Sequence, residues 1–385
     1  MNSLSNKITI CHILNLITGR ADGVYTHLKM LLNLLPKDKY RQIVIFQGGT
    51  FVENDLRQMG IGYHIVPWLG KRSFFSASYS VIRILKTENV DIIQSHLVKP
   101  YILSGVINLF LRKRHIFNYN GLFIDNLYYN KLEKLLLNIL HYLITTFKAV
   151  NIAVVPSLCS KTLLINETNR FPKVDVYYNG YDPSFPESSD PAIINYIQNL
   201  KSDYFIVGII ARLEIQKRID HALDICKALL NRNQNVFFIF MGDGPLENSS
   251  KEYANKLGIS SNISFLGYVN NARNYIKYLD TLLFTSDWEG LPLTIWEAMY
   301  NKVPIISTDV GGNKEIIDGE KCGFVFARGD IYSAVNYIEK LISDPALKNK
   351  LGENGIDALN RKYSYNNFRL FFENLYDKLC PQKNN

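Results

Sequence analysis

Two glutamates eight residues apart carry the chemistry that stands out first in this chain. Glu289 and Glu297 lie in the stretch 284–315, FTSDWEGLPLTIWEAMYNKVPIISTDVGGNKE. The apolar run ending at Phe284 reads as a strand, residues 287–292 as a loop, 294–300 as a helix and 303–307 as a second strand. Glu289 therefore falls just past the carboxyl end of a strand, and Glu297 inside the helix that follows. In an open α/β sheet ligands bind along that edge. Pro292 suits a first helical turn, and the backbone N–H groups of Leu293 and Thr294 would point outward with the positive end of the helix dipole, ready for a phosphate. Carboxylates belong beside an anion site when the ligand also carries hydroxyls. Phosphate on the helix end and hydroxyls on the glutamates together describe a nucleotide sugar. Taken locally, Glu297 reads equally well as a solvated helix residue, and the pair Gly311-Gly312 alone is a weak loop signal.

Two cations fall on the same edge. Arg212 directly follows the apolar strand 204–210, and Lys217 comes just before a helix that sets Ala222, Ile225, Ala228 and Leu229 on one face. A guanidinium and an ammonium there could hold a diphosphate and neutralise charge as it leaves, although either alone reads as a surface cation. Gly242-Asp243-Gly244-Pro245 forms another tight turn after the next strand. No D-x-D triplet occurs, so the usual carboxylate pair for Mg²⁺ or Mn²⁺ on a sugar diphosphate is missing. Cations and helix ends are expected to do that work, with no metal and no cofactor. Of seven histidines, six precede residue 142. His96, past the strand 90–95, is the one best placed for a cleft, with a structural histidine as the competing reading.

The elements that must position these residues alternate along the whole chain. Residues 7–16 read as a buried strand, 18–23 as a glycine-containing loop and 24–35 as a helix with Leu28, Leu31, Leu32 and Leu35 on one face. Short apolar strands follow at 42–46, 62–66, 90–95, 115–119, 152–155 and 174–177. A second series lies at 204–210, 236–241, 263–266, 281–284, 303–307 and 323–326. Such alternation predicts mostly parallel sheets covered by helices, an α/β fold. No strand opens into GxGxxG, which disfavours a nicotinamide or flavin dinucleotide domain. Pro183, Pro186, Ser188, Ser189 and Pro191 mark a linker near residue 190. The expected domains are 1–188 and 189–363, with a C-terminal helix near 364–380 able to pack back on the first.

A chain of 385 residues with 47% hydrophobic and 20% charged content can build two globular cores. Residues 1–190 hold 21 Lys and Arg against 13 Asp and Glu, whereas 191–385 hold 22 of each, so the first half carries all of the formal +8. An acidic partner is expected there, such as anionic lipid or a pyrophosphate-bearing substrate. The segments 67–75 (PWLGKRSFF) and 118–134 (NYNGLFIDNLYYNKLEK) mix rings with cations, which suits a membrane interface as well as it suits core aromatics beside solvated charge. No RNA or DNA motif accompanies the basic half, so nucleic acid is not an expected partner. Cys11, Cys159, Cys226, Cys322 and Cys380 form no close pair and no zinc spacing, in keeping with reduced thiols in a cytosol. The N-terminus lacks the charged leader and cleavage site of a signal peptide. The most apolar long segment, 135–155, is interrupted by Asn138, His141, Lys148 and Asn151, which argues against a transmembrane span.

With these pieces in place the chain resembles the retaining GT-B glycosyltransferases of family 4, most strongly over 206–326. EGLPLTIWE meets the E-x₇-E pattern with Glu289 and Glu297, and ARLEIQK resembles G-R-L-x-x-x-K with Ala211 in place of glycine. GDGPL at 242–246, FLGYV at 265–269, PIISTDVGGNKEII from Pro304, and NGYD at 179–182 follow the same family in order and spacing. The resemblance implies two Rossmann-like domains facing across a cleft, nucleotide sugar on the C-terminal one and acceptor on the N-terminal one. It implies that Arg212 and Lys217 bind the diphosphate, that Glu297 binds the ribose hydroxyls and that Glu289 contacts the transferred sugar. Leu293 and Thr294 would bind phosphate through their amides, with Gly242, Leu266 and Gly290 also on the nucleotide side. Gly23 matches a family glycine near diphosphate and acceptor. Asn120-Gly121 stands where many members have His-Gly, and Asp22 and Tyr25 also depart from the common first loop.

The sequence thus predicts a cytoplasmic transferase that takes a hexosyl or N-acetylhexosaminyl group from a nucleoside-diphosphate sugar, a UDP-sugar foremost. The acceptor would be lipid-linked or an oligosaccharide in bacterial surface polysaccharide synthesis, met in peripheral contact with an anionic membrane. A nucleotide-sugar epimerase of similar fold and a non-catalytic partner subunit are the alternatives.

Overall fold

The computed structural model describes residues 7–15, 23–48, 50–67, 73–119, 130–168, 170–181 and 189–381. Asp22, the Asn120-Gly121 pair, most of both mixed aromatic and basic segments and the prolines of the linker before Ser189 lie outside the described residues. The chain forms two units, Met1–Tyr178 with Asn366–Asn385, and Asn179–Tyr365.

The first unit alternates strand and helix. Its elements run β1 (Ile8–Ile13), α1 (Gly23–Leu34), β2 (Tyr40–Phe46), α2 (Thr50–Gln58), β3 (Gly62–Ile65), α3 (Ser73–Thr87) and β4 (Ile92–His96). They continue with α4 (Val98–Leu111), β5 (Arg114–Asn118), α5 (Lys131–Thr146), β6 (Ile152–Val155), α6 (Leu158–Thr168) and β7 (Val174–Val176). The sheet order is β3-β2-β1-β4-β5-β6-β7, and every pairing is parallel. All six residues of β1 are buried, as a central strand covered on both faces requires. Alternate residues of β2 serve opposite layers. Ile43 and Ile45 pack with Val81, Leu85, Leu103 and Ile107, whereas Val44 and Phe46 pack with Leu28, Leu32, Val52 and Leu56.

The second unit opens with α7 (Pro191–Lys201), whose Asp190 cap accepts from the Ala192 N–H and whose Pro191 fills the first turn. It proceeds through β8 (Phe205–Ile210), α8 (Ile219–Asn231), β9 (Val236–Met241), α9 (Glu247–Leu257), β10 (Ile263–Phe265) and β11 (Thr281–Phe284). Then come α10 (Leu293–Tyr300), β12 (Ile305–Thr308), α11 (Asn313–Ile317), β13 (Gly323–Phe326), α12 (Ile331–Ser343) and α13 (Pro345–Arg361). This sheet is also parallel, in the order β10-β9-β8-β11-β12-β13. The molecule is therefore α/β, with two Rossmann-like parallel sheets.

The last helix, α14 (Tyr365–Leu379), belongs to the first unit. Phe368, Phe372 and Tyr376 are buried there, Tyr376 Oη donates to Gln94 Oε1 (2.5 Å) and Tyr40 Oη to Asp377 Oδ1 (2.6 Å). The division falls at Tyr178 rather than at the expected 188. The stretch after it is held by the second unit, where Tyr181 bridges Ser364, stacks on Tyr300 and lies under the Arg273 guanidinium. Among the described residues no helix is long and apolar enough to cross a membrane.

Candidate functional site

Strands β8 and β11 are neighbours, with Thr281 opposite Val207 and Leu282 opposite Gly208, so the loops leaving their carboxyl ends emerge together. That adjacency brings Lys217 onto Glu289. Lys217 Nζ donates to Glu289 Oε1 at 2.6 Å, and Ser286 Oγ donates to the same oxygen at 2.7 Å. The pair is largely shielded, with side-chain exposures of 20% for the lysine and 8% for the glutamate. A mostly desolvated ion pair persists only where surrounding hydrogen bonds fix its geometry. Those bonds are present. Thr285 Oγ1 donates to the Lys217 carbonyl (2.8 Å), Gln216 Nε2 to the Trp288 carbonyl (2.7 Å), and the Asp287 N–H to the Gln216 carbonyl (2.9 Å). Arg218 adds ionic ties to Asp287 and Asp220 and touches His221.

Neighbouring loops lock this frame through close backbone approaches. Gly242 has φ +146°, and a Cβ there would overlap the Ala211 carbonyl; its N–H donates to the Gly267 carbonyl (2.7 Å). Leu266 continues β10 by donating to the Phe240 carbonyl (2.9 Å). At Gly311 φ is +55°, and a Cβ would strike the carbonyls of Glu289 and Gly290, while the Gly312 N–H donates to Gly290 (2.9 Å). The two-glycine turn thus acts as a brace behind the loop that carries Glu289.

Helix α10 begins beside that loop. Pro292 stands at its N-cap in an extended conformation, and no side chain there hydrogen-bonds to the first turn that Leu293 and Thr294 begin. Ile295, Trp296, Ala298 and Met299 are buried and anchor the helix. Glu297 lies on its flank, half-buried, and burial pushes its carboxyl up to about 7, with Arg273 pulling the other way. Arg273 rests 4.5 Å over the Tyr181 ring, which stacks on Tyr300 at 4.1 Å.

The structure brings Lys217, Glu289 and Gly290 together beside α10. Arg212 lies on the same edge but is exposed and pairs with Glu214 at 3.0 Å. Gly23, in the first unit, is the exposed first residue of α1, and a Cβ there would meet nothing within 4 Å.

His96 requires a correction. It ends β4 fully buried, with Nε2 3.3 Å from His12 Nδ1 and Nδ1 3.2 Å from Asn118 Nδ2. Desolvation keeps it well below the ordinary histidine range, with His12 and His27 adding to the effect, so it is neutral. His27 stands between this cluster and Phe368 of α14, their rings 5.4 Å apart, which places His96 in a polar core rather than at a surface.

Ser286, Gln216, the Arg218–Asp287 tie and Arg273 were not singled out from sequence. Arg218 and Asp287 sit next to recognised positions and could have been found by proximity. Arg273 reaches Glu297 only through tertiary packing. Among the described residues no group of three or more His, Cys, Asp or Glu could hold a metal ion.

Residues 193–358 match the family described as Glycosyl transferases group 1, and residues 21–185 match Glycosyltransferase Family 4. The chain is 28% identical over 273 residues to the capsular polysaccharide biosynthesis glycosyltransferase CapH of Staphylococcus aureus, covering 69% of this chain and 71% of CapH. It is also 28% identical over 195 residues to the UDP-Gal:alpha-D-GlcNAc-diphosphoundecaprenol alpha-1,3-galactosyltransferase of Escherichia coli, and that match spans 49% of each chain, about half the relative's length. Among solved structures, Anabaena HepE in complex with UDP superposes with a TM-score of 0.79 at 18% identity, covering 96% of this chain and 99% of HepE, which is a likeness of fold.

Proposed function

The chain belongs to the GT-B glycosyltransferases of family 4, and we propose that it transfers a hexosyl or N-acetylhexosaminyl group from a nucleoside-diphosphate sugar with retention of configuration. The donor is a UDP-sugar, and the acceptor is a lipid-linked glycan or oligosaccharide in bacterial surface polysaccharide synthesis. The observation that carries this reading is the Lys217–Glu289 pair, 2.6 Å apart, beside the uncapped start of α10. An ammonium and a row of backbone N–H groups suit two phosphates, and carboxylates suit sugar hydroxyls.

On this reading Lys217 and Arg212 hold the diphosphate, and the N–H groups of Leu293 and Thr294 bind its oxygens. Glu297 accepts from the ribose hydroxyls and Glu289 from the transferred sugar, while Gly242, Leu266 and Gly290 border the nucleotide. Arg212 would leave Glu214 to reach phosphate, a small cost for an exposed pair. The acceptor oxygen bonds the anomeric carbon on the face from which the diphosphate departs, and the acceptor proton passes to the departing phosphate oxygen. Lys217 and the helix dipole stabilise the charge that grows on that oxygen, with no metal assigned a part. Gly23 remains the acceptor-side candidate. The name of the Escherichia coli relative, with its UDP-galactose and diphosphoundecaprenol, supports both donor and acceptor classes. A polyprenyl-linked acceptor resides in a bilayer, so the reading includes peripheral contact with the cytoplasmic face of an anionic membrane.

The test is a donor screen on the full chain, following nucleoside-diphosphate release with and without membrane extract as acceptor source. Release that rises with extract and yields a retained anomer is expected. Conversion of the donor without release would instead indicate an epimerase, and absence of donor binding a non-catalytic subunit.

A further inference from the structure

We infer that the outer face of α5 is the surface on which the first unit rests against an anionic bilayer. Helix α5 is apolar on two adjoining faces, one covered and one exposed. Its inner side sets Ile144, Leu137 and Leu140 against Tyr101, Phe117 and Val150 of the core. Its outer side carries Leu132, Leu135, Leu136, Ile139, Leu143 and Phe147, with exposures from 36% at Leu143 to 76% at Leu132. At the angular step of an α-helix these six fall within about 120° of the circumference, a continuous stripe of about four turns that ends at the C-cap residue Phe147. Scattered exposed leucines are ordinary, but a contiguous apolar stripe on a soluble face marks a contact. The Asn108 side chain donates to the Ala149 carbonyl (2.8 Å), which sets the end of α4, with Phe110 81% exposed, at the Phe147 end of α5.

Charge selects the occupant. Residues 130–170 contain five cations, Lys131, Lys134, Lys148, Lys161 and Arg170, against two carboxylates, Glu133 and Glu167. Glu133 is engaged in a capping box with Asn130, and Arg112 and Lys113 follow Phe110. A second copy of this chain docked stripe to stripe would oppose cation to cation, whereas anionic headgroups would meet apolar residues and cations together. Beside the stripe a cavity of about 360 Å³ is lined by Asn138, Ile139, His141, Tyr142, Glu167 and Arg170. The Arg170 guanidinium lies 4.5 Å over the Tyr142 ring at this recess and is placed to take a headgroup phosphate. This placement rests on the transferase reading only for its purpose, since a lipid-linked acceptor must be met at a bilayer.

Flotation of the full chain with vesicles decides it. Wild type is expected to float with phosphatidylcholine vesicles containing phosphatidylglycerol and poorly with phosphatidylcholine alone. Leu135→Ser/Ile139→Ser/Leu143→Ser should weaken vesicle affinity roughly a hundredfold, and Arg170→Ala/Lys148→Glu should cut the preference for the anionic lipid roughly tenfold. Both variants should keep the wild-type circular dichroism spectrum and the wild-type rate of donor hydrolysis in solution. Wild type failing to float, or the folded triple variant floating as well as wild type, overturns the inference. So does a solution dimer that the triple variant abolishes without any vesicle binding. Flotation without donor turnover would fail the transferase reading alone, and turnover without flotation this inference alone.

Discussion

Glu297 is the residue whose chemistry can be read most directly from solution behaviour. Its folded pKa of about 7 stands above the ordinary glutamate value of 4.5. Between those values the folded state holds a proton that the unfolded chain has lost, so stability is favoured below pH 4.5 and declines as pH rises through 7. Glu297→Gln should flatten that decline in unfolding curves recorded across this range. If the ionised carboxylate accepts the ribose hydroxyls, donor affinity should rise through about pH 7 in wild type and lose that rise in Glu297→Gln. Lys217→Ala deserts a carboxylate that is only 8% exposed. It should cost about 2–4 kcal/mol of stability and lower donor turnover by roughly a hundredfold, read by denaturation and nucleotide release. The sequence identified both partners of this pair but not their meeting, because strand patterns do not specify that β8 lies beside β11. Of the two readings that the sequence left for His96, the buried position takes the structural one. A histidine at a strand end is not assigned to cleft or core until the packing of α1 and α14 is known.

At the scale of elements, the site is a set of loops fixed by backbone contact. Gly311→Ala would have to place a methyl in the left-handed region and against the Glu289 and Gly290 carbonyls. A loss of about 2–3 kcal/mol with a raised donor KM is expected, measurable by thermal melting and steady-state kinetics. A matching change at exposed Gly23, where a Cβ meets nothing, should leave stability unchanged. Most elements were legible because strands buried on both faces, such as ITICHI and VFFIFM, leave no polar alternation to confuse their limits. Helix α10 was expected from residue 294 and begins at Leu293, its start marked by Pro292. What sequence could not reveal was the order of the strands or the outward stripe of α5. The apolar residues of a helix look alike until one side is seen to be covered.

For the whole molecule, the return of α14 to the first unit links chain end to chain start. Removing residues after Tyr365 would expose the core around Phe368, Phe372 and Tyr376, all buried at 2% or less. At about 1.5–3 kcal/mol for each side chain lost, the first unit should melt far earlier while the second, which holds its own core, keeps its transition in calorimetry. A single transition shifted as one would show instead that the units unfold together. The domain boundary was less legible than either core, since proline-rich composition marks a connection but not which unit claims its flanks. The proposed function requires that the carboxyl edge of the second sheet bind a nucleoside-diphosphate sugar through Lys217, Glu289, Glu297 and the start of α10. Calorimetric titration of UDP into the full-length wild type and into Lys217→Ala and Glu297→Gln tests it most directly. Saturable binding to wild type, weakened at least roughly tenfold in each folded variant, is the predicted result. Absence of binding to wild type, or equal affinity in all three proteins, would contradict it.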